Sequence, residues 1–258
     1  MSPPLVPVPR RAGLAGRAAA GVAALVVGWA VLAACSSGAG EGAGAPTTVA
    51  PVPTAAPTTP TTVAPTTTTA PPTAGPGDEG PQVLALQQRL YDLGYFLDGV
   101  TGAYDASTTH AVMAFQKLHG LERDGVAGPD TVAALATATK VEPTQGTHAH
   151  LEVSLADQVL VVVDGQGGAV AVDATTGAAS TPTPPGTFSV FRQVDAWDPG
   201  PYGSLYRPKY FNGGIAFHGG TPVVAAPASH GCVRLPDPAV DWLWGAGLVP
   251  IGTEVVVY

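Results

Sequence analysis

LEVSLADQVLVVVDGQGGAVAV, residues 151–172, is the stretch on which the fold turns. Leu151, Val153 and Leu155 alternate with Glu152 and Ser154, the period of two expected of a half-buried strand. Val159 to Val163 is a short buried run, and Asp164-Gly165 begins a hairpin turn into Val170 and Val172. Phe188 and Val190 mark another strand after Pro184-Pro185-Gly186, and Val255 to Val257 close the chain as one more. Gly and Pro turns at short intervals favour a compact, mainly-β sandwich over a doubly wound α/β sheet. One short helix interrupts it, with Asp237 as N-cap, Pro238 in the first turn, Val240, Leu243 and Trp244 as its apolar stripe, and Gly245 as terminator.

Upstream, the period changes from two to that of a helix. Val83, Leu86, Leu90 and Leu93 recur at spacings of 3, 4 and 3, with Gly94 as a stop. Thr108, Val112 and Phe115 repeat the stripe, and Val132 with Leu135 closes a third helix. Between them Asp98-Gly99-Val100-Thr101-Gly102 is echoed by Asp124-Gly125-Val126-Ala127-Gly128, two equivalent turns. The chain is therefore expected to be multidomain, with a small all-α three-helix domain over residues 81–138 and the β domain over 147–258.

Residues 46–73 contain only Ala, Pro, Thr and Val, so residues 35–80 read as an extended Pro/Thr-rich tether unable to bury a core. Before it, Arg10, Arg11 and Arg17 precede an uncharged apolar run from Ala18 to Ala34, the layout of a signal peptide over residues 1–34. That run ends in Leu32-Ala33-Ala34-Cys35, which resembles the lipobox of bacterial lipoproteins and implies lipidation of Cys35. The alternative is an uncleaved anchor helix; either way the body lies outside the cytoplasmic membrane. The formal charge of −8 includes those three arginines, and the remainder carries 8 basic against 19 acidic residues. So acidic a body argues against a nucleic-acid partner.

The chemistry concentrates in Ile215-Ala216-Phe217-His218-Gly219-Gly220 and Ser229-His230-Gly231-Cys232-Val233-Arg234. With Cys35 at the start of the tether, Cys232 is the lone thiol of the folded part. A thiol becomes a good nucleophile when a neighbouring imidazole takes its proton, and two histidines are close in sequence. Gly231 permits a sharp turn between His230 and Cys232, while Gly219 and Gly220 let a substrate approach the main chain. Three readings stand on residue chemistry alone: a cysteine acyl-transfer site, a zinc site from His218, His230 and Cys232 with His148 or His150, or a structural cysteine beside surface histidines.

Two resemblances narrow this. LQQRLYDLGY, DGVTGAYDASTTHAVMAFQ and DGVAGPDTVAAL resemble the helical peptidoglycan-binding domain of wall hydrolases and transpeptidases. His218-Gly219 followed by SHGCVR, with TPPGTF at 183–188, resembles the L,D-transpeptidase (YkuD-type) family. The resemblance implies that Cys232 is the acylated nucleophile and His218 the proton acceptor and donor. It also implies that the Gly219 carbonyl orients the histidine and that His230 shapes or assists the site. Ser229, Gly231, Tyr210 and Arg234 are the expected substrate contacts, Arg234 holding a carboxylate through its planar fork. Backbone N–H groups near Gly231 and Cys232 are expected to hold the oxyanion.

The implied reaction, carried out by an extracytoplasmic protein lipid-anchored to the cell membrane and facing the cell wall, cross-links peptidoglycan stem peptides, releases D-Ala from a tetrapeptide donor and needs no cofactor. The implied partners are stem peptides, glycan and, through the lipid anchor, the membrane. Asp195, Trp197, Tyr202, Tyr206 and Tyr210 form an aromatic insertion, expected either as a substrate-covering lid or as a packed loop with Trp197 and Tyr210 in the core. Only 14 positions separate His218 from Cys232, a shortening that bears on acceptor specificity. The rival functions are an L,D-carboxypeptidase that passes the same thioester to water, and a non-catalytic wall-binding lipoprotein.

Overall fold

The computed structural model describes residues 73–258; the expected leader, the expected lipidation site at Cys35 and nearly all of the expected tether lie outside them. The three helices are α1 (Pro81–Leu93), α2 (Ala106–Leu118) and α3 (Pro129–Thr137). Gly94 closes α1 in the left-handed conformation (φ 90°), and Asp105 caps α2 by accepting a hydrogen bond from the Thr108 N–H. Buried Gln87 and Gln116 play equivalent parts in the two echoed turns. The Gln87 Oε1 accepts from the Thr101 and Gly102 N–H groups, and the Gln116 Oε1 from that of Gly125.

Two five-stranded sheets follow. The first has the order β3 (Ala169–Asp173), β2 (Val159–Asp164), β1 (Ala149–Ser154), β10 (Glu254–Val257), β4 (Gly186–Ser189). The second runs β5 (Arg192–Gln193), β7 (Gly203–Asn212), β8 (Ile215–Gly219), β9 (Val233–Arg234), with β6 (Trp197–Gly200) also paired to β7. Helix α4 (Asp237–Gly245) packs against β7 and β8.

The apolar run in β2 is continuous because both of its faces are buried. Leu160 and Val162 join the core of the β domain with Val170, Val172, Phe211 and Phe217. Val159, Val161, Val163 and Ala171 instead join the core of the helical module with Leu90, Val112 and Phe115. The helical module thus completes the sheet. Its segment after α1 also pairs with the edge strand: the Phe96 N–H donates to the Ala171 carbonyl, and the Ala171 N–H to that of Gly94. That covers an edge which would otherwise be open.

The contact is fixed electrostatically as well. Lys117 of α2 and Asp173 of β3 form an ion pair of 2.5 Å whose side chains are 0% and 1% exposed. The Lys117 ammonium also donates to the carbonyls of Gln158 and Ala174, and His110 approaches the other Asp173 oxygen at 2.7 Å. Burial pushes the lysine below its ordinary pKa, opposed by the attraction of Asp173.

Two local expectations are corrected. Glu152, alternating with core residues, was expected on the polar face of its strand but is fully buried. Burial alone would raise its carboxyl, but N–H groups of Gln145 and Thr144, the Thr144 hydroxyl and His150 outweigh it and hold the pKa below the ordinary value. Asp237 does not cap α4: Pro236 occupies the N-cap position, Asp237 is the first helical residue, and Gly245 is the last, ahead of the C-cap Ala246. The Asp237 carboxylate is engaged elsewhere, by the Gly220 N–H at 2.6 Å.

Replacing Lys117 by Met leaves Asp173 buried with one cation fewer, and urea unfolding is expected to register a loss of about 3 kcal/mol. Pairing it with Asp173→Leu should recover part of that loss by removing the unpaired charge, while the carbonyl of Ala174 and the ring of His110 remain without these partners.

Candidate active site

His218 lies on β8, and β9 carries Arg234 directly beside it, the two strands pairing in parallel with His218 opposite Arg234. The turn between them brings Ser229, His230 and Cys232 to the same cavity, of about 470 Å³, which His218, Arg234 and Tyr210 also line. All of these predicted site residues are thus brought together; Gly219 and Gly231 belong to the main chain around them.

The turn is held from behind. Thr183, buried, accepts from the Gly177 N–H and donates to the Gly231 carbonyl at 2.8 Å. The Ser229 hydroxyl donates to the Cys232 carbonyl at 2.6 Å and accepts from the Gly231 N–H at 3.1 Å. Ser229 is therefore a brace within the turn. The Gly231 N–H is accordingly engaged and does not serve as an oxyanion donor in this arrangement. Gly231 itself has φ 109°, a conformation that disfavours any side chain.

The buried His218 points its Nδ1 at the Gly219 carbonyl, 2.7 Å away. A carbonyl can only accept, so Nδ1 carries the proton, and the neutral ring keeps Nε2 as its acceptor. Burial lowers the pKa of His218; the Gly219 hydrogen bond opposes this, Arg234 adds to it, and Asp237 opposes it. Burial also raises the Cys232 thiol, with backbone hydrogen bonding at Ala216 and the charge of Arg234 working the other way. Both shifts favour the uncharged forms, a neutral thiol and a neutral imidazole, and the Cys232 thiol donates to the Gly214 carbonyl at 3.8 Å.

Asp237, Thr183, Arg192 and Asp198 escaped the sequence reading as site residues. Asp237 clamps the peptide after the histidine's carbonyl partner: besides its bond to the Gly220 N–H, its Oδ1 would lie 2.3 Å from a Cβ at Gly219, which leaves no room for alanine there. Thr183 stood within TPPGTF, the signal that could have found it. Arg192 lies over the Tyr210 ring (4.6 Å to the centroid) and bonds Asp198, which also accepts from the Tyr210 hydroxyl.

The aromatic insertion is a β6–β7 hairpin. Its base is tied down by Arg207, which sits at a register shift in the left-handed conformation (φ 49°) and pairs with Asp195 and Asp241. Its tip lines the catalytic cavity, where Tyr202 stacks on His230 at 4.4 Å with the rings 4° from parallel. Trp197 is exposed and Tyr210 buried, so the packed-loop expectation fits only the tyrosine. Among the described residues no three His, Cys, Asp or Glu side chains gather as a metal-binding group, so the zinc reading finds no support in their arrangement.

Comparison with known proteins is consistent with this geometry. A family model for the L,D-transpeptidase catalytic domain matches residues 148–257, and one for a putative peptidoglycan binding domain matches residues 79–135. The crystal structure of an L,D-transpeptidase from Xylanimonas cellulosilytica DSM 15894 is 41% identical with a TM-score of 0.69, over 72% of this chain and 98% of that one. The N-acetylmuramoyl-L-alanine amidase CwlM of Mycobacterium tuberculosis is 41% identical over 56 residues, 22% of this chain. The amidase CwlL of Bacillus licheniformis is 44% identical over 72 residues, 26% of this chain. The chain spans only 14% and 20% of the lengths of these two curated relatives.

If His218 acts as the base, as the resemblance implies, its lowered pKa should place the acid limb of kcat/KM below about pH 6.5, the ordinary histidine value. Asp237→Asn removes a charge that favours the imidazolium and should move that limb further to acid. Asp237→Ala, which also frees the Gly219–Gly220 peptide, should lower kcat by about ten- to a hundredfold in steady-state assays.

Proposed function

The chain belongs to the L,D-transpeptidase family, and on that footing we propose that it cross-links peptidoglycan stem peptides through a thioester on Cys232. The observation that carries this reading is the shared cavity of Cys232 and a buried His218 whose Nδ1 is fixed on the Gly219 carbonyl. That tautomer gives the thiol proton a defined destination.

In the proposed sequence, Cys232 Sγ attacks the carbonyl carbon of the third residue of a tetrapeptide stem while its proton passes to His218 Nε2. The tetrahedral intermediate collapses as Nε2 returns that proton to the departing amine, and D-Ala leaves. A side-chain amine of a second stem then attacks the thioester, gives its proton to His218, and expels Cys232, which regains a proton. Arg234, half-buried beside His218, and Arg192 give the cavity a positive wall suited to the carboxylates of the donor stem. The tip of the β6–β7 hairpin covers the substrate from above.

Wall-acting domains place the work outside the cytoplasm. We assign Cys35 as the lipidated residue and residues 35–80 as the tether from the membrane to the wall, on the strength of the apolar run ending in Leu32-Ala33-Ala34-Cys35 and the Pro/Thr-rich segment after it.

Incubation with disaccharide-tetrapeptides followed by mass spectrometry should give cross-linked dimers. Tripeptides alone would assign the carboxypeptidase instead, and turnover no different from Cys232→Ala would overturn both. The same Cys232→Ala variant should lose any covalent carbapenem adduct. For the anchor, Cys35→Ala should shift the protein from the membrane to the soluble fraction; unchanged fractionation would count against lipidation.

A further inference from the structure

A second cavity, of about 430 Å³, lies where the helical module meets the β domain. Phe96, Ala106 and His110 line it from one side, Trp197, Thr221 and Asp237 from the other. Thr221 lines the catalytic cavity too, so the two spaces adjoin at that residue.

The chemistry of the two cavities differs. Arg192 and Arg234 face the catalytic one, whereas no Lys or Arg lines the second, and its His110 is already engaged by Asp173. A carboxylate-rich or phosphorylated ligand therefore finds no counter-charge there. What the groove offers is an aromatic surface, with Trp197 54% exposed, interspersed with hydrogen-bonding groups. One of these lacks a partner: the Thr221 Oγ1 is buried and makes no hydrogen bond among the described residues. Apolar faces edged by neutral hydroxyls and amides are the chemistry of an N-acetylated sugar.

We propose that this interdomain groove holds the saccharide of the donor strand whose stem peptide occupies the catalytic cavity. The proposal rests on the transpeptidase reading for the identity of that strand. The two cavities adjoin at Thr221, so a sugar in the groove and its stem peptide in the catalytic cavity can belong to one strand. Because Ala106 and His110 belong to α2 and Trp197 to the β6 strand, one sugar would touch both parts of the chain at once.

The test compares disaccharide-tetrapeptide with free tetrapeptide as donor, and adds a calorimetric titration with chitotriose, a neutral N-acetylglucosamine trimer free of peptide. Wild type should prefer the sugar-bearing donor in kcat/KM by about tenfold or more. Ala106→Trp, a filling substitution at an exposed first-turn position of α2, should bring that ratio near one and abolish chitotriose binding, and Trp197→Ala should weaken it. Equal use of both donors by wild type, or a preference that Ala106→Trp leaves intact, would overturn the proposal. Should neither donor turn over, the transpeptidase reading fails by itself and the titration decides the groove: binding lost in Ala106→Trp upholds it, and absence of binding in wild type refutes it.

Discussion

An ammonium ion removed from water must find partners, and Lys117 finds them in three separate parts of the chain. Besides Asp173 on β3 and the carbonyls of Gln158 and Ala174, its Nζ lies 3.4 Å from the carbonyl of Val224, in the loop between His218 and Cys232. Thr175, next along from Ala174, holds both the N–H and the carbonyl of Val224 through its hydroxyl and pairs by its backbone with Arg234. The helical ammonium is thereby surrounded by acceptors from the first sheet and from the loop before Cys232 together, with Asp173 as its counter-charge. Such a pair is weak evidence for net stability, because desolvation offsets much of the attraction. Its contribution is to penalise every arrangement in which the lysine is buried without that set of partners.

The same economy governs the site. Neither His218 nor Cys232 is held by a single element: His218 is oriented by the carbonyl of the next residue, that peptide is clamped by the first residue of α4, and the turn at Cys232 is braced by Thr183 and Ser229. Two strands in parallel register bring these supports together, and the short connection between His218 and Cys232 is stiffened from beneath by Thr175 and Lys117. The supports of His218 and of the turn at Cys232 are thus in place in the free protein.

Much of this was legible in the sequence. The stripes Val83–Leu93 and Thr108–Phe115 and the run Val159–Val163 follow from side-chain period alone, and the pair His218 and Cys232 from chemistry together with local motif. What sequence could not supply was anything decided across the fold. Glu152 looked exterior because alternation says which residues share a face, not what covers that face; residues 144 and 145 supply its cover and its donors. Asp237 looked like a helix cap because caps are short-range, while its actual partner, the Gly220 N–H, lies 17 residues earlier. The β2 run announced burial on both faces without naming the helical module as the second cover, since periodicity carries no information about partners.

That shared cover has a further consequence. Stripped of the helices, Val159, Val161, Val163 and Ala171 would face water as a contiguous apolar patch, and the β3 edge would be open to strand addition by another chain. The connection at residues 138–148 is thus not a seam along which the protein can be divided. A protease cutting there would leave two fragments still joined by that apolar contact and the buried Lys117–Asp173 pair, so the protein should resist being trimmed to its β domain, unlike multidomain proteins whose modules hang on a linker as independent beads.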